Sequence, residues 1–168
     1  RTAYQGRGVP GERAGEVQAG RAGGGAAVVL TQVARRGVVD GVLGSGQATW
    51  AGRGRAVGRE LQVRLGDLHA RSRALVQALG PVPAMRLAQA PASQAQVASA
   101  LGGTTVGASP GLAGAPAAVQ NAALEPMGQA KQAFDYTHLG GEGAQVFATL
   151  VATELAREVP ELRALLLP

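Results

Sequence analysis

The chain has 168 residues, a formal net charge of +5, 46% apolar residues and only 3% aromatic ones. That length suits one domain, or part of a larger one, with enough chain for a real core. It has no cysteine, which excludes disulfides and thiolate metal sites, and two histidines, His69 and His138, among scattered acids, which gives no basis for a metal centre or a cofactor.

Glycine, at 26 residues, is about twice its usual share, so the core is expected to be thinly packed. The basic residues are 15 Arg and one Lys, and nine of the arginines fall in residues 1–60 against four acids there. Such asymmetry would suit an anionic partner, although a compositional bias toward Arg, Gly and Ala is the simpler source of it. No apolar run reaches the roughly 18 residues of a membrane span. The start, Arg1-Thr2-Ala3-Tyr4, lacks the apolar stretch of a signal peptide. A soluble chain is expected.

Residues 1–25 show neither helical nor alternating periodicity and read as irregular. The run Ala26-Ala27-Val28-Val29-Leu30-Thr31-Gln32-Val33 is apolar, rich in β-branched residues and bounded by glycines and Arg35-Arg36, the pattern of a strand buried on both faces. Residues 37–47 read as a turn-rich loop. A helix over 48–61 would use Trp50, Val57 and Leu61, although Gly52, Gly54 and Gly58 each cost about 1 kcal/mol relative to Ala. Leu61-Gln62-Val63-Arg64-Leu65 alternates as a second strand, and residues 72–79 form a helix stopped by Gly80 and Pro81. This order of strand, helix, strand, helix predicts an α/β fold with a parallel sheet. Residues 82–124, rich in Ala, Gln, Ser and Pro, read as an inserted subregion with short helices over 92–101 and 116–124. From 142 to 158, apolar residues at Val146, Phe147, Leu150, Val151 and Leu155 give one helical stripe that runs toward Val159 and ends at Pro160. Glu142 suits the positive end of that helix, and a tail over 162–167 is expected to dock.

Just before this last helix stands Phe134-Asp135-Tyr136-Thr137-His138-Leu139-Gly140-Gly141-Glu142-Gly143-Ala144. Three residues span about one turn of backbone, so the Asp135 carboxylate can hold one ring nitrogen of His138 while the other faces outward. That is the base-and-orienter half of a nucleophilic site. A helix cap with a surface ion pair would use the same spacing. Phe134 and Tyr136 are expected to pack the loop.

The residues of this block also carry a likeness. Asp135-Tyr136-Thr137-His138-Leu139, then Gly143-Ala144 and an apolar helix, resembles the last conserved block of the SGNH (GDSL-type) hydrolases, nearest the rhamnogalacturonan-acetylesterase-like carbohydrate esterases. Upstream, Ala27-Val28-Val29-Leu30-Thr31-Gln32-Val33-Ala34-Arg35-Arg36 is similar to the family strand that ends in an Arg pair. Leu65-Gly66-Asp67-Leu68-His69-Ala70-Arg71-Ser72 and Ala78-Leu79-Gly80-Pro81 are similar to the next strand and its helix. The likeness covers residues 24–81 and 125–168. It implies His138 as the general base, Asp135 as the residue that orients it, and no cofactor. It also implies a three-layer α/β/α sandwich (flavodoxin-like, with a parallel sheet), hydrolysis of acetyl esters on polysaccharide, and a secreted or periplasmic setting.

Two family blocks have no counterpart. The serine nucleophile belongs to a Gly-Asp-Ser block, whereas Gly66-Asp67 is followed here by Leu68; the oxyanion asparagine belongs to Gly-x-Asn-Asp, whereas Asn121 lies in Val119-Gln120-Asn121-Ala122. No nucleophile is identified. Gly107-Ala108-Ser109-Pro110-Gly111 matches Gly-x-Ser-x-Gly, but the oxyanion hole of that motif needs the N–H of the residue after the serine, and Pro110 has none. Ser45, between two glycines, has no better claim. The expectation is therefore the C-terminal part of such an enzyme, lacking the family's N-terminal strand or strands and inactive alone. An open edge on the Val28 strand would favour self-association.

Arg35 and Arg36 end a strand, where α/β proteins place ligands, and could meet an anionic sugar or simply be solvated. His69 reads as a satisfied histidine at a helix start, with Asp67 as an alternative partner. Trp50 reads as core in preference to a sugar-stacking face. Gly6-Arg7-Gly8 and Gly52-Arg53-Gly54-Arg55 raise nucleic-acid binding as an alternative, which the scarcity of stacking aromatics argues against. A non-catalytic remnant is the other alternative.

Overall fold

The computed structural model describes residues 8–105 and 134–166, a mixed α/β arrangement with a small parallel sheet and, among the described residues, six α-helices. The order is α1 (Gly8–Ala22), β1 (Val28–Leu30), β2 (Val38–Val39), β3 (Val42–Leu43), α2 (Ala48–Glu60), β4 (Arg64–Gly66), α3 (Leu68–Leu79), a 3-10 turn (Pro83–Leu87), α4 (Gln94–Leu101), α5 (Gly141–Glu158), a second 3-10 turn (Pro160–Leu162) and α6 (Arg163–Leu166). The helix expected over 116–124 lies outside the described residues. None of the described helices is long and apolar enough to cross a membrane.

Two compact units divide the chain. The first comprises Arg1–Ala34, Ser45–Ser72 and Ala148–Pro168. Here β1 and β4 pair in parallel, with Val28, Val29 and Leu30 opposite Arg64, Leu65 and Gly66. The expected strand over 26–33 is shorter than predicted, since pairing ends where β4 gives way to α3 after Gly66. Beyond it, Thr31 N–H bonds to Gly66 O at 3.1 Å and Ala34 N–H to Ser72 Oγ at 2.8 Å.

Helix α2 occupies the predicted span, and its glycines explain how. Gly54 and Gly58 are buried. A Cβ on Gly58 would stand 3.3 Å from Leu65 Cδ1, so the missing side chain lets the helix lie against β4. The expected strand over 61–65 begins only at Arg64, because Leu61 and Gln62 finish the helix. Gln62 takes φ 50°, Gln62 N–H bonds to Arg59 O and Val63 N–H to Gly58 O, which is a Schellman cap. Arg21 donates to the carbonyls of Leu61 and Gln62 at 3.0 and 3.2 Å. That contact belongs to a helix over residues 8–22, which corrects the irregular reading of residues 1–25 there; Val17 is buried and Arg21 anchors the helix end. The last helix has no buried residue and Leu165 is 81% exposed, so the expected docking of the tail is not seen among the described residues.

The second unit comprises Arg35–Gly44 and Arg73–Phe147, wider than the subregion expected over 82–124. The stretch read as a loop over 37–47 contains an antiparallel hairpin, β2–β3, turned on Asp40 (φ 49°) and Gly41 (φ 74°). Both left-handed values mark a type I′ turn, the geometry that Asp-Gly favours. Thr105 braces the hairpin through Val38 N–H to its Oγ1 at 2.9 Å. Helix α4 opens on a capping box, Ser93 with Gln96, and buries Ala100 beside Met85 and Tyr136. Phe134 meets Tyr136 edge-on with ring centroids 4.9 Å apart, so these two aromatics pack the loop that carries the acid and the histidine.

Candidate active site

Asp135 and His138 form a close pair. His138 Nδ1 lies 2.6 Å from Asp135 Oδ2, and Asp135 Oδ1 accepts from the backbone N–H groups of Thr137 and His138, both at 2.6 Å. The two carboxylate oxygens are thus divided, one fixing the turn and the other fixing the ring. Burial alone would raise the Asp135 pKa. The bonds from the His138 ring and from the two N–H groups outweigh it, and the net shift is downward. An ionised carboxylate only accepts, so Nδ1 is the ring nitrogen that donates to it and Nε2 is left for another partner. The imidazole is 68% exposed while the carboxylate is 22% exposed, which leaves the ring accessible on a fixed support.

Arg36 departs from expectation. Read from sequence as a strand-end cation, either for an anionic sugar or simply solvated, it is 2% exposed. Its guanidinium donates to the carbonyls of Asp135 at 3.0 Å and His138 at 2.9 Å through Nη2, and to Thr137 at 3.4 Å through Nη1. Its backbone N–H reaches Tyr136 O at 2.9 Å. Burial lowers its pKa, with the charge on Asp135 acting the other way. A residue this enclosed and this occupied serves the loop, whereas the neighbouring Arg35 is exposed.

Glycines set where α5 begins. Gly140 N–H donates to Leu87 O at 3.0 Å, and Leu139 bridges to Ala88. A Cβ on Gly140 would come within 2.5 Å of Ala88 O, and one on Gly143 would overlap Leu87 O. The Gly-Gly-Glu-Gly that follows the histidine is therefore a close backbone-to-backbone approach against the Pro83–Leu87 turn. Glu142 in the first turn of α5 pairs with Arg86 at 3.3 Å. Gln89, which sequence reasoning did not single out, reaches Asp135 Oδ2 at 3.5 Å.

In the first unit, Asp67 is held by Arg55 at 2.8 Å, by Thr31 Oγ1 at 3.0 Å and by Ala70 N–H at 3.2 Å. Burial pushes its pKa up, but these bonds prevail and the net shift is downward. His69 is buried at the start of α3, where its backbone N–H donates to Thr31 Oγ1 at 2.9 Å. Trp50 was expected in the core; it is 37% exposed, with the Arg53 guanidinium 4.9 Å over its ring. With Arg55 on Asp67, both arginines of the Gly52-to-Arg55 run have intramolecular contacts. Ser45 is exposed, and Ser109 and Asn121 lie outside the described residues. Among the described residues no three His, Asp or Glu side chains gather as metal ligands.

No protein-family model, curated protein or solved structure matches the chain.

Proposed function

We propose that this chain carries the base half of a serine ester hydrolase of the SGNH type, in the rhamnogalacturonan-acetylesterase-like branch, acting on acetylated polysaccharide. The observation that carries the reading is the 2.6 Å contact from His138 Nδ1 to an Asp135 carboxylate kept ionised, on a ring that remains exposed. Parallel pairing of β1 with β4 supports the reading, since that family alternates parallel strands with helices. The fold on this reading is part of a three-layer α/β/α sandwich.

In such a site His138 Nε2 takes the proton of a serine hydroxyl as the hydroxyl attacks the acetyl carbonyl. Asp135 steadies the imidazolium, and His138 then passes the proton to the departing sugar oxygen. The serine must come within about 3 Å of Nε2. Removing even one oxyanion donor raises the barrier by roughly 2.7–4 kcal/mol. Since the sequence holds neither a Gly-Asp-Ser nor a Gly-x-Asn-Asp block, these 168 residues alone are expected to be inactive.

Serine-directed fluorophosphonate labelling tests this. The 168-residue chain is expected to stay unlabelled, and a coding sequence extended upstream to include a strand and Gly-Asp-Ser is expected to label at that serine. Stoichiometric labelling of the 168-residue chain that disappears in Ser109→Ala would overturn the expectation that these residues alone are inactive. An upstream extension without any such block would favour a non-catalytic remnant.

A further inference from the structure

Resting on the reading of Asp135 and His138 as a base pair, we propose that Arg36 is its positioning residue, setting the ring tautomer without touching either reacting side chain. Four successive carbonyls, those of Asp135, Tyr136, Thr137 and His138, accept hydrogen bonds from this one residue, three from the guanidinium and one from the backbone N–H. In a trans peptide the C=O and the following N–H point in opposite directions, and no peptide among the described residues is cis. Drawing the Tyr136 carbonyl toward Arg36 therefore turns the Thr137 N–H away from it. Drawing in the Thr137 carbonyl does the same to the His138 N–H. Those are the two N–H groups that Asp135 Oδ1 accepts, each at 2.6 Å. With Oδ1 so occupied, Oδ2 is left to face Nδ1 of the ring.

The chain of cause thus runs from Arg36, through one peptide plane held by its backbone N–H and a second held by its buried guanidinium, to the orientation of a carboxylate and the proton on Nδ1. A lysine cannot replace it. Its ammonium is a single point and cannot span carbonyls that the planar guanidinium reaches through two nitrogens. The role is not visible in the sequence, where an arginine pair after an apolar run reads as a ligand contact or as solvated.

The test is the tautomer of His138, read from long-range 15N–1H spectra of the histidine-labelled 168-residue chain at a pH where the imidazole is neutral. The wild-type ring is expected to show the Nδ1–H form, with Asp135→Ala supplying the spectrum of an unpaired ring. Arg36→Lys and Arg36→Met, with circular dichroism and His69 signals unchanged, are expected to lose the Nδ1–H form and match Asp135→Ala. Folded variants that keep the wild-type tautomer would overturn the proposal. Should neither variant fold, the Arg36 Nη protons of the wild type decide: separate, slowly exchanging signals at low temperature support the proposal, and one averaged signal of a freely rotating guanidinium overturns it. No substrate enters this experiment. Failure of the esterase reading therefore leaves its result standing, and failure here leaves the labelling test standing.

Discussion

Replacing Gly143 by Ala separates backbone packing from helix propensity at the start of α5. On propensity alone the change favours the helix by up to about 1 kcal/mol. The structure opposes it, because a Cβ at this position overlaps the carbonyl oxygen of Leu87, with Leu87 C at 3.0 Å and Leu139 Cδ2 at 3.1 Å. The obstructing atoms are mainly backbone, inside a 3-10 turn whose Ala84, Met85 and Leu87 are buried, so they cannot swing aside as a flexible side chain would. Overpacking of this kind typically costs about 1–3 kcal/mol, and a backbone obstruction belongs at the upper end. Offset by the propensity gain, a net loss of about 2 kcal/mol is expected. For a chain of this length that corresponds to a fall in Tm of roughly 4–8 °C. Gly141→Ala is the internal control, since a Cβ there meets nothing within 4 Å and the variant should match or exceed the wild type. Urea and thermal unfolding of the three proteins supply the comparison. A Gly143→Ala protein as stable as Gly141→Ala would refute the packing argument and, with it, the reason offered for the glycines after the histidine.

Asp67→Asn should destabilise by about 1 kcal/mol at neutral pH, a value kept small because Arg55 and Asp67 are each about one-third exposed. The sign with pH follows from the depressed folded pKa of Asp67: its contribution is complete above the unfolded value near 3.9 and disappears as pH falls through the folded value. The gap between wild type and variant should therefore close in acid, and a gap that is constant with pH would contradict the ion pair. Glu154, 3% exposed and gripped by Arg71 and Arg157 at 2.8 Å each, should cost about 2–3 kcal/mol when cut to Ala and much less as Glu154→Met, because both arginines are half-exposed and rehydrate; equal losses in chemical denaturation would argue against this. Gly41→Ala should cost about 1–2 kcal/mol by placing a Cβ at φ 74° in the hairpin, and an unchanged melting curve would count against the turn assignment.

Helices α2, α3 and α5 were legible because apolar spacing and the stops at Gly80 and Pro160 are local signals. Parallel pairing of the two apolar runs followed from their alternation with helices. The β2–β3 hairpin was legible in principle, since Asp40-Gly41 stands between Val39 and Val42, but the surrounding glycines masked it. Helix α1 was hidden because its sequence shows no clear apolar period and its anchor, Arg21, acts on carbonyls 40 and 41 residues away. The acid and the histidine of the site were visible as a spacing, and the division of the carboxylate between turn and ring was not. Least legible were Arg36 and Glu154, charged residues that the structure buries. Their roles depend on partners as far as 102 and 83 residues away, and no window of local pattern reaches so far.

The central claim is that His138 is the base of an ester hydrolase, and the most direct measurement is turnover in an upstream-extended chain that carries a Gly-Asp-Ser block. With an acetylated polysaccharide or p-nitrophenyl acetate as substrate, His138→Ala is expected to lower kcat on the order of 10⁴-fold or more, with KM little changed. A variant that keeps kcat within a few-fold of the parent would contradict the claim.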